Sequence, residues 1–161
     1  MDFFSPLAQL YMNEELKGIS NLYETDFALW IEQTSRLLRS GNYKQVDWEN
    51  LIEEIEGLVR SDKRALRSQV ERVMMHFLKW DCQPERRSRS WRNSVAEGQN
   101  QIEQLLQDSP SLKPSLVEVL PECYQGAVKL ASIPTNLPKE RFPTECPYSV
   151  KAVMTRELPW Q

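Results

Sequence analysis

Apolar side chains recur at intervals of three and four residues along most of the chain, which is the period of an amphipathic helix. The first stripe predicts a core helix over about Asp26–Ser40, with Thr25 as its N-cap and Gly41 just past its end. The apolar positions of this stripe are Phe27, Trp30, Ile31, Leu37 and Leu38.

Two further stripes follow in close succession. The second begins after Asp47, a good N-cap, and consists of Trp48, Leu51, Ile52, Ile55, Leu58 and Val59. The third should end before Pro84 and consists of Leu66, Val70, Val73, Met74, Phe77 and Leu78. Gly57 and the pair Ser61-Asp62 leave two alternatives: two helices packed antiparallel about a turn, or one long helix kinked there.

The rest of the chain predicts two more long helices and an extended segment. A fourth helix is expected from about Ser90 to Gln107, and a fifth after Ser111 that Pro121 should kink or split. Four prolines make a helix improbable over residues 133–148, so an extended segment is expected there. A short final helix is expected from Ser149 to about Arg156.

These elements predict an all-α fold, since no run alternates with period two for long enough to form a strand. Short connections favour an antiparallel bundle of about five main helices, followed by the Pro-rich extended segment and the short final helix. A chain of 161 residues is most simply one domain. We expect an N-terminal arm over residues 1–22 and a single helical-bundle domain over residues 23–161.

Composition excludes several classes of protein. The chain is 40% hydrophobic, too apolar for a disordered protein, and no run approaches the ~20 apolar residues that span a bilayer. The first residues include Asp2 and no basic run before an apolar one, so no secretory signal is expected. Three scattered cysteines, Cys82, Cys123 and Cys146, indicate free thiols in a reducing cytoplasm.

The net charge of −3 conceals a strong segregation of charge. Residues 1–59 carry a net −7, residues 60–92 a net +6, and residues 93–161 a net −2. The densest basic run is a candidate contact for an anion or a nucleic acid, with phosphate-binding arginines and an indole for base stacking. It consists of Arg86, Arg87, Arg89, Trp91 and Arg92. The preferred alternative is pairing with the acidic first third, within the chain or between subunits, and the pI of 5.3 argues against a dedicated DNA binder.

A second constellation combines carboxylates with the single histidine. If the second and third helices pack antiparallel, His76 faces Glu49 or Trp48. The candidate polar site consists of Glu49, Glu53, Glu56, His76 and Trp80. One histidine and no Glu-x-x-His exclude a di-metal carboxylate site, which leaves a mononuclear site of His76 with two glutamates as an alternative. The preferred interpretation is a partly buried histidine bonded to a carboxylate, without metal or other cofactor.

Several short sequence segments, taken in their order along the chain, resemble those of a bacterial family known as domain of unknown function twenty-nine, which is abundant in cyanobacteria. The blocks are Tyr23–Phe27, Asp47–Leu51, Glu53–Glu56, His76–Trp80, Gln83–Ser88, Ser90–Arg92, Asp108–Leu112 and Cys146–Tyr148. The resemblance covers about residues 23–159 and implies an all-helical cytosolic protein with no established activity. No catalytic residue is carried over from it. The family has a polar or aromatic residue where Cys82 stands, which implies that this cysteine is not a shared site.

Three functions remain to be separated. The favoured one is a protein-interaction or regulatory module without catalytic activity, whose partner is another protein or a second copy, and not a membrane. The first alternative is an antitoxin-like nucleic-acid binder that uses the basic turn Arg86–Arg92. The second is a metal-dependent enzyme built on Glu53, Glu56 and His76. No catalytic sequence motif supports an enzyme.

Overall fold

The computed structural model describes residues 21–159, and within that range it contains helices and turns but no strand. The predicted all-α class is therefore confirmed. The helices are α1 (Phe27–Ser40), α2 (Trp48–Cys82), α3 (Arg89–Asp108), α4 (Lys113–Thr135) and α5 (Val150–Thr155). Residues 21–25 are also helical, and short 3-10 turns lie at 43–45, 84–86, 110–112 and 139–141. Of the predicted N-terminal arm, residues 1–20 lie outside the described residues.

Contacts between Cα atoms divide the chain into two compact units, residues 1–59 and 60–161. We call them the first unit and the second unit. The predicted single domain over residues 23–161 stays a prediction, and each unit is described by itself below.

In the first unit, α1 has a well-defined beginning and end. The Asp26 carboxylate accepts a hydrogen bond from the Leu29 amide at 3.1 Å, so Asp26 is the N-cap and the prediction of Thr25 was wrong. The Thr25 hydroxyl instead donates to the Asn21 carbonyl at 2.8 Å, within the preceding helical turn. Gly41 ends the helix at φ 75°, a left-handed conformation that favours glycine.

Helix α2 is continuous over 35 residues, from Trp48 to Cys82. The alternative with two antiparallel helices was therefore wrong, and Gly57 is accommodated inside the helix. A glycine in a helix interior costs only about 1 kcal/mol relative to alanine, which the apolar face of so long a helix can outweigh. The turn that was to join the second and third predicted helices is therefore not formed.

In the second unit, α3 runs antiparallel and α4 parallel to the C-terminal part of α2. The Arg72 guanidinium donates to the Glu97 carboxylate at 3.0 Å, and the Ser109 hydroxyl lies 3.5 Å from the Asp62 carboxylate, so residue numbers on α3 rise as those on α2 fall. On the other side, Arg67 pairs with Glu122, and the Gln83 amide donates to the Thr135 carbonyl at 3.2 Å. Residue numbers on α4 therefore rise together with those on α2, so these two helices run parallel.

The main hydrophobic core lies in the second unit. Its buried side chains come from α2, α3, α4 and the C-terminal residues, and they include Leu66, Val70, Val73, Phe77, Ile102, Leu116, Ala127, Ala131 and Val153. Gly98 lets α3 approach α2 closely, because a Cβ atom built there would lie 2.7 Å from Val73 Cγ2. The inward position of Gly98 on α3 thus has a packing reason.

Helix α4 runs from Lys113 to Thr135 with Pro121 and Pro134 inside it, so the expected split at Pro121 does not occur. Pro121 is exposed, and water can bond the carbonyl that its missing N–H leaves unpaired. The helix also takes the first three residues of the predicted extended segment, 133–135. The remainder contains one 3-10 turn and leads to α5, where Ser149 is the N-cap and accepts from the Ala152 amide at 3.1 Å.

Candidate functional site

The most distinctive surface of the molecule is an apolar face at the start of α2, in the first unit. Trp48, Ile52, Ile55 and Val59 are 47%, 52%, 55% and 52% exposed, and we call these four residues the α2 stripe. Leu58, beside them, is 68% exposed. Contiguous exposed apolar surface of this kind is uncommon on soluble proteins and marks contact sites for other molecules.

The α2 stripe has the same helical phase as the buried side of α2. Positions 48, 52, 55 and 59 are followed, two helical turns further on, by Leu66, Val70 and Val73, which lie on the same side of the helix and are almost completely buried. Within the second unit, α3 covers that side and ends beside Asp62, where Ser109 contacts it. The same apolar pattern thus lies in a core over one part of the helix and is open over the other.

Local structure fixes the beginning of the stripe. The Asp47 carboxylate accepts from the Asn50 amide at 3.4 Å and from the Asn50 side chain at 2.7 Å, which caps α2. The Trp48 indole N–H donates to the Tyr43 carbonyl at 3.0 Å, so its polar atom is satisfied while its ring stays half exposed. This arrangement lets a partner cover the ring without leaving the N–H unpaired.

An aromatic cluster fastens the residues before α1 to α2. The Tyr23 hydroxyl donates to the Glu54 carboxylate at 2.7 Å, and the pKa of this tyrosine is raised to about 12, chiefly by that hydrogen bond. The Tyr23 and Phe27 rings contact the fully buried Trp30 at centroid distances of 5.0 and 5.5 Å. Glu54 is therefore a structural partner in the first unit.

The structure does not assemble the predicted polar site. Glu49, Glu53 and Glu56 are exposed near the start of α2, whereas His76 and Trp80 are buried near its end. They all lie on one continuous helix, and the turn that was to bring His76 back to Glu49 is not formed. Among residues 21–159, no group of three or more potential metal-binding side chains is close enough to hold an ion.

His76 lies in a positive environment instead of beside a carboxylate. Its pKa is lowered to about 4, first by burial and then by the nearby charges of Lys79 and Arg72. Its Nδ1 atom is buried without a hydrogen-bond partner. The predicted bond to a carboxylate is absent for this atom, and the histidine is neutral at physiological pH.

The basic turn is partly occupied by the protein itself. The Arg87 guanidinium donates to the Trp80 carbonyl at 3.0 Å and stacks over its ring at 5.1 Å. The Lys79 ammonium lies 4.3 Å from the centre of the Trp91 ring and so occupies one of its two faces. These contacts give Arg87 and Trp91 structural roles.

Two of the predicted arginines line an open groove of about 500 Å³ in the second unit. Arg89 and Arg92 share it with amide side chains of α3 and with Arg156. Arg156 makes a bidentate ion pair with Asp81 at 2.5 and 2.9 Å, and the Tyr148 hydroxyl donates to the same carboxylate at 3.0 Å. This network has no signal in the sequence, because its members are far apart in the chain and belong to no motif.

A larger open cavity of about 660 Å³ lies between α4 and residues 139–144, with Glu71 of α2 on its wall. The Glu71 carboxylate lies against the backbone of Gly126, where a Cβ atom would come within 2.7 Å of Oε1. Burial raises the pKa of Glu71, and Glu122 on the same wall pairs with Arg67. These residues belong to no sequence motif, so their proximity could not be predicted from the sequence.

The cysteines carry no sign of activation. Cys82, Cys123 and Cys146 are free, and burial raises the pKa of each thiol, that of Cys123 to about 11. A nucleophilic cysteine needs the opposite shift.

A family model for domain of unknown function DUF29 matches residues 22–158. The chain belongs to the DUF29 family. The resemblance drawn from the sequence blocks is confirmed. Comparison with curated proteins and with solved structures gives no match. The DUF29 match includes the α2 stripe, both open cavities and the basic turn, and it attaches no activity to any of them.

No helix within residues 21–159 combines the length and the hydropathy needed to cross a bilayer. The cytoplasmic location inferred for this DUF29 protein stays a prediction.

Proposed function

We propose that this protein is a protein-interaction module whose docking surface is the α2 stripe. The observation that carries the proposal is the half exposure of four large apolar side chains in register on one helix face. Helices commonly bind one another through anchors spaced at three and four residues, as these are. The area and shape of such a face suit another helix better than a small polar ligand.

The distribution of exposed apolar side chains supports the same surface. Among the described residues, the first unit exposes Phe27, Leu29, Ile31, Tyr43, Trp48, Ile52, Ile55, Leu58 and Val59. The second unit, which is much longer, exposes only Val117, Leu130 and Ile133 by the same measure. An interaction role therefore belongs to the first unit, and the second unit supplies a stable core.

The nucleic-acid and metal-enzyme alternatives receive less support. Trp91 and Arg87 are engaged by Lys79 and Trp80, which removes part of the contact surface assigned to them. The carboxylates and the histidine that were to hold a metal are separated along α2. An interaction module needs neither arrangement.

A pair of double variants tests the proposal. Ile52→Glu/Ile55→Glu places charges in the α2 stripe, and Leu130→Glu/Ile133→Glu is the matched control, with the same spacing on an exposed part of α4. We expect both variants to keep the unfolding free energy of the parent within about 1 kcal/mol, because surface substitutions cost little. Only the α2 stripe variant should lose binding of a hydrophobic fluorescent dye.

The opposite result would show that the chain itself covers the face. In that case Ile52→Glu/Ile55→Glu would lose several kcal/mol of unfolding free energy, as core substitutions do, and the parent would bind no dye even at concentrations where it is monomeric. The control variant would separate this outcome from a general effect of added negative charge.

A further inference from the structure

The spacing between the residues of the α2 stripe is the same from either end of the stripe. Its steps are four, three and four residues, from Trp48 to Ile52, Ile55 and Val59. A face with this symmetry can pack on an identical face that runs antiparallel, with a two-fold axis between positions 52 and 55. Such an isologous contact is the commonest form of association between identical chains.

The side-chain volumes also balance in that arrangement. Trp48, the largest member, lies opposite Val59, the smallest, and Ile52 lies opposite Ile55 of the other copy. Each layer therefore contains one large and one small residue or two of equal size, which lets the layers fill at even density. A parallel arrangement would place Trp48 opposite Trp48 and Val59 opposite Val59, with a crowded layer at one end and a thin one at the other.

We propose that the α2 stripe binds a second copy of this chain, antiparallel, with Ile52 of each copy against Ile55 of the other. This inference rests on the proposed function and names the partner. The Trp48 indole N–H keeps its bond to Tyr43, so closure of the interface leaves no polar atom of that ring unpaired.

The available area fits a reversible dimer. If the α2 stripe and Leu58 each contribute roughly 100 Å², a pair of copies buries ~1,000 Å² in total, which is near the lower limit for a specific interface. We therefore expect a dissociation constant in the micromolar range. Because the contact is apolar, added salt should not weaken it, whereas it would weaken an ionic dimer of acidic and basic segments.

The experiment uses the full chain and two single variants, Ile52→Glu and Ile55→Lys, with Ile52→Lys as a third variant for the control mixture, in light scattering over a range of concentrations. The parent should dimerise, and each variant alone should dimerise at least roughly 100-fold more weakly, because a charge is buried opposite isoleucine. An equimolar mixture of the two variants should regain dimers, because Glu at position 52 then faces Lys at position 55. A mixture of Ile52→Glu with Ile52→Lys is the matched control and should remain monomeric.

Each of the other possible results would overturn a stated part of the proposal. Recovery in the control mixture would replace the antiparallel register with a parallel one. A parent that stays monomeric while it binds the hydrophobic dye would exclude the second copy as partner but leave the proposed function standing. A monomeric parent that binds no dye would overturn both, since another part of the chain would then cover the stripe.

Discussion

The two units of the molecule use the same kind of apolar pattern in different ways. In the second unit, the α2 positions Leu66, Val70 and Val73 are covered by α3 and α4 and form a core. In the first unit, the α2 stripe continues that pattern with about half of each side chain exposed. The difference shows that amphipathic spacing identifies a face that will be covered, but not whether the same chain covers it.

The largest change in unfolding free energy is expected when two leucines on the same helix are compared. Leu66 is 1% exposed and Leu58 is 68% exposed. Leu66→Ala should lower the unfolding free energy by about 2–5 kcal/mol through lost burial and a cavity, whereas Leu58→Ala should change it by about 0.5 kcal/mol or less. Urea denaturation at low protein concentration measures both, so that self-association does not contribute.

Equal losses of unfolding free energy in the two alanine variants would contradict this difference between the units, because Leu58 would then be as well packed as Leu66. The two substitutions remove the same atoms from the same helix, so differences in helix propensity cancel between them.

A smaller effect is expected from pH, through the only histidine of the chain. The pKa of His76 is about 4 in the folded protein against an ordinary value of 6.5, so the unfolded chain takes up the proton first as pH falls. The stability linked to the neutral ring is complete above pH 6.5 and should be lost between pH 6.5 and 4, by roughly 2–3 kcal/mol. Unfolding free energies measured across this interval check the expectation.

His76→Gln is the control, since it removes the titrating ring and keeps every carboxylate. Its stability should fall less steeply than that of the parent between pH 6.5 and 4. Parallel curves for the two proteins would mean that the interior of the second unit does not hold His76 in its neutral form.

Much of the fold was predictable because helical periodicity and capping are local. The apolar stripes placed the long helices of the described residues, and Asp47 caps α2 as expected. Continuity was harder to predict. Gly57 and Pro121 each carry a local cost that tertiary packing outweighs, so neither interrupts its helix.

The candidate site was less predictable, for two physical reasons. The expected approach of His76 to Glu49 required a turn between these two residues. Helix α2 is continuous there instead, so the predicted site is not formed. The exposed α2 stripe is indistinguishable in sequence from a core stripe, because spacing alone does not specify whether another element covers a helix face. The contacts of Arg87 and Trp91 depend on the packing of α2 against the turn before α3 and the start of that helix, which spacing alone does not specify.

Hydroxyl-radical footprinting of the full chain, resolved by mass spectrometry at several protein concentrations, tests the central claim most directly. It compares oxidation of Trp48 in the α2 stripe with that of Phe77, which is fully buried in the core. At the lowest concentration Trp48 should be oxidised at a substantial fraction of its rate in the unfolded chain while Phe77 is protected, and Trp48 should gain protection as concentration rises. Protection of Trp48 equal to that of Phe77 at the lowest concentration would contradict an open docking face.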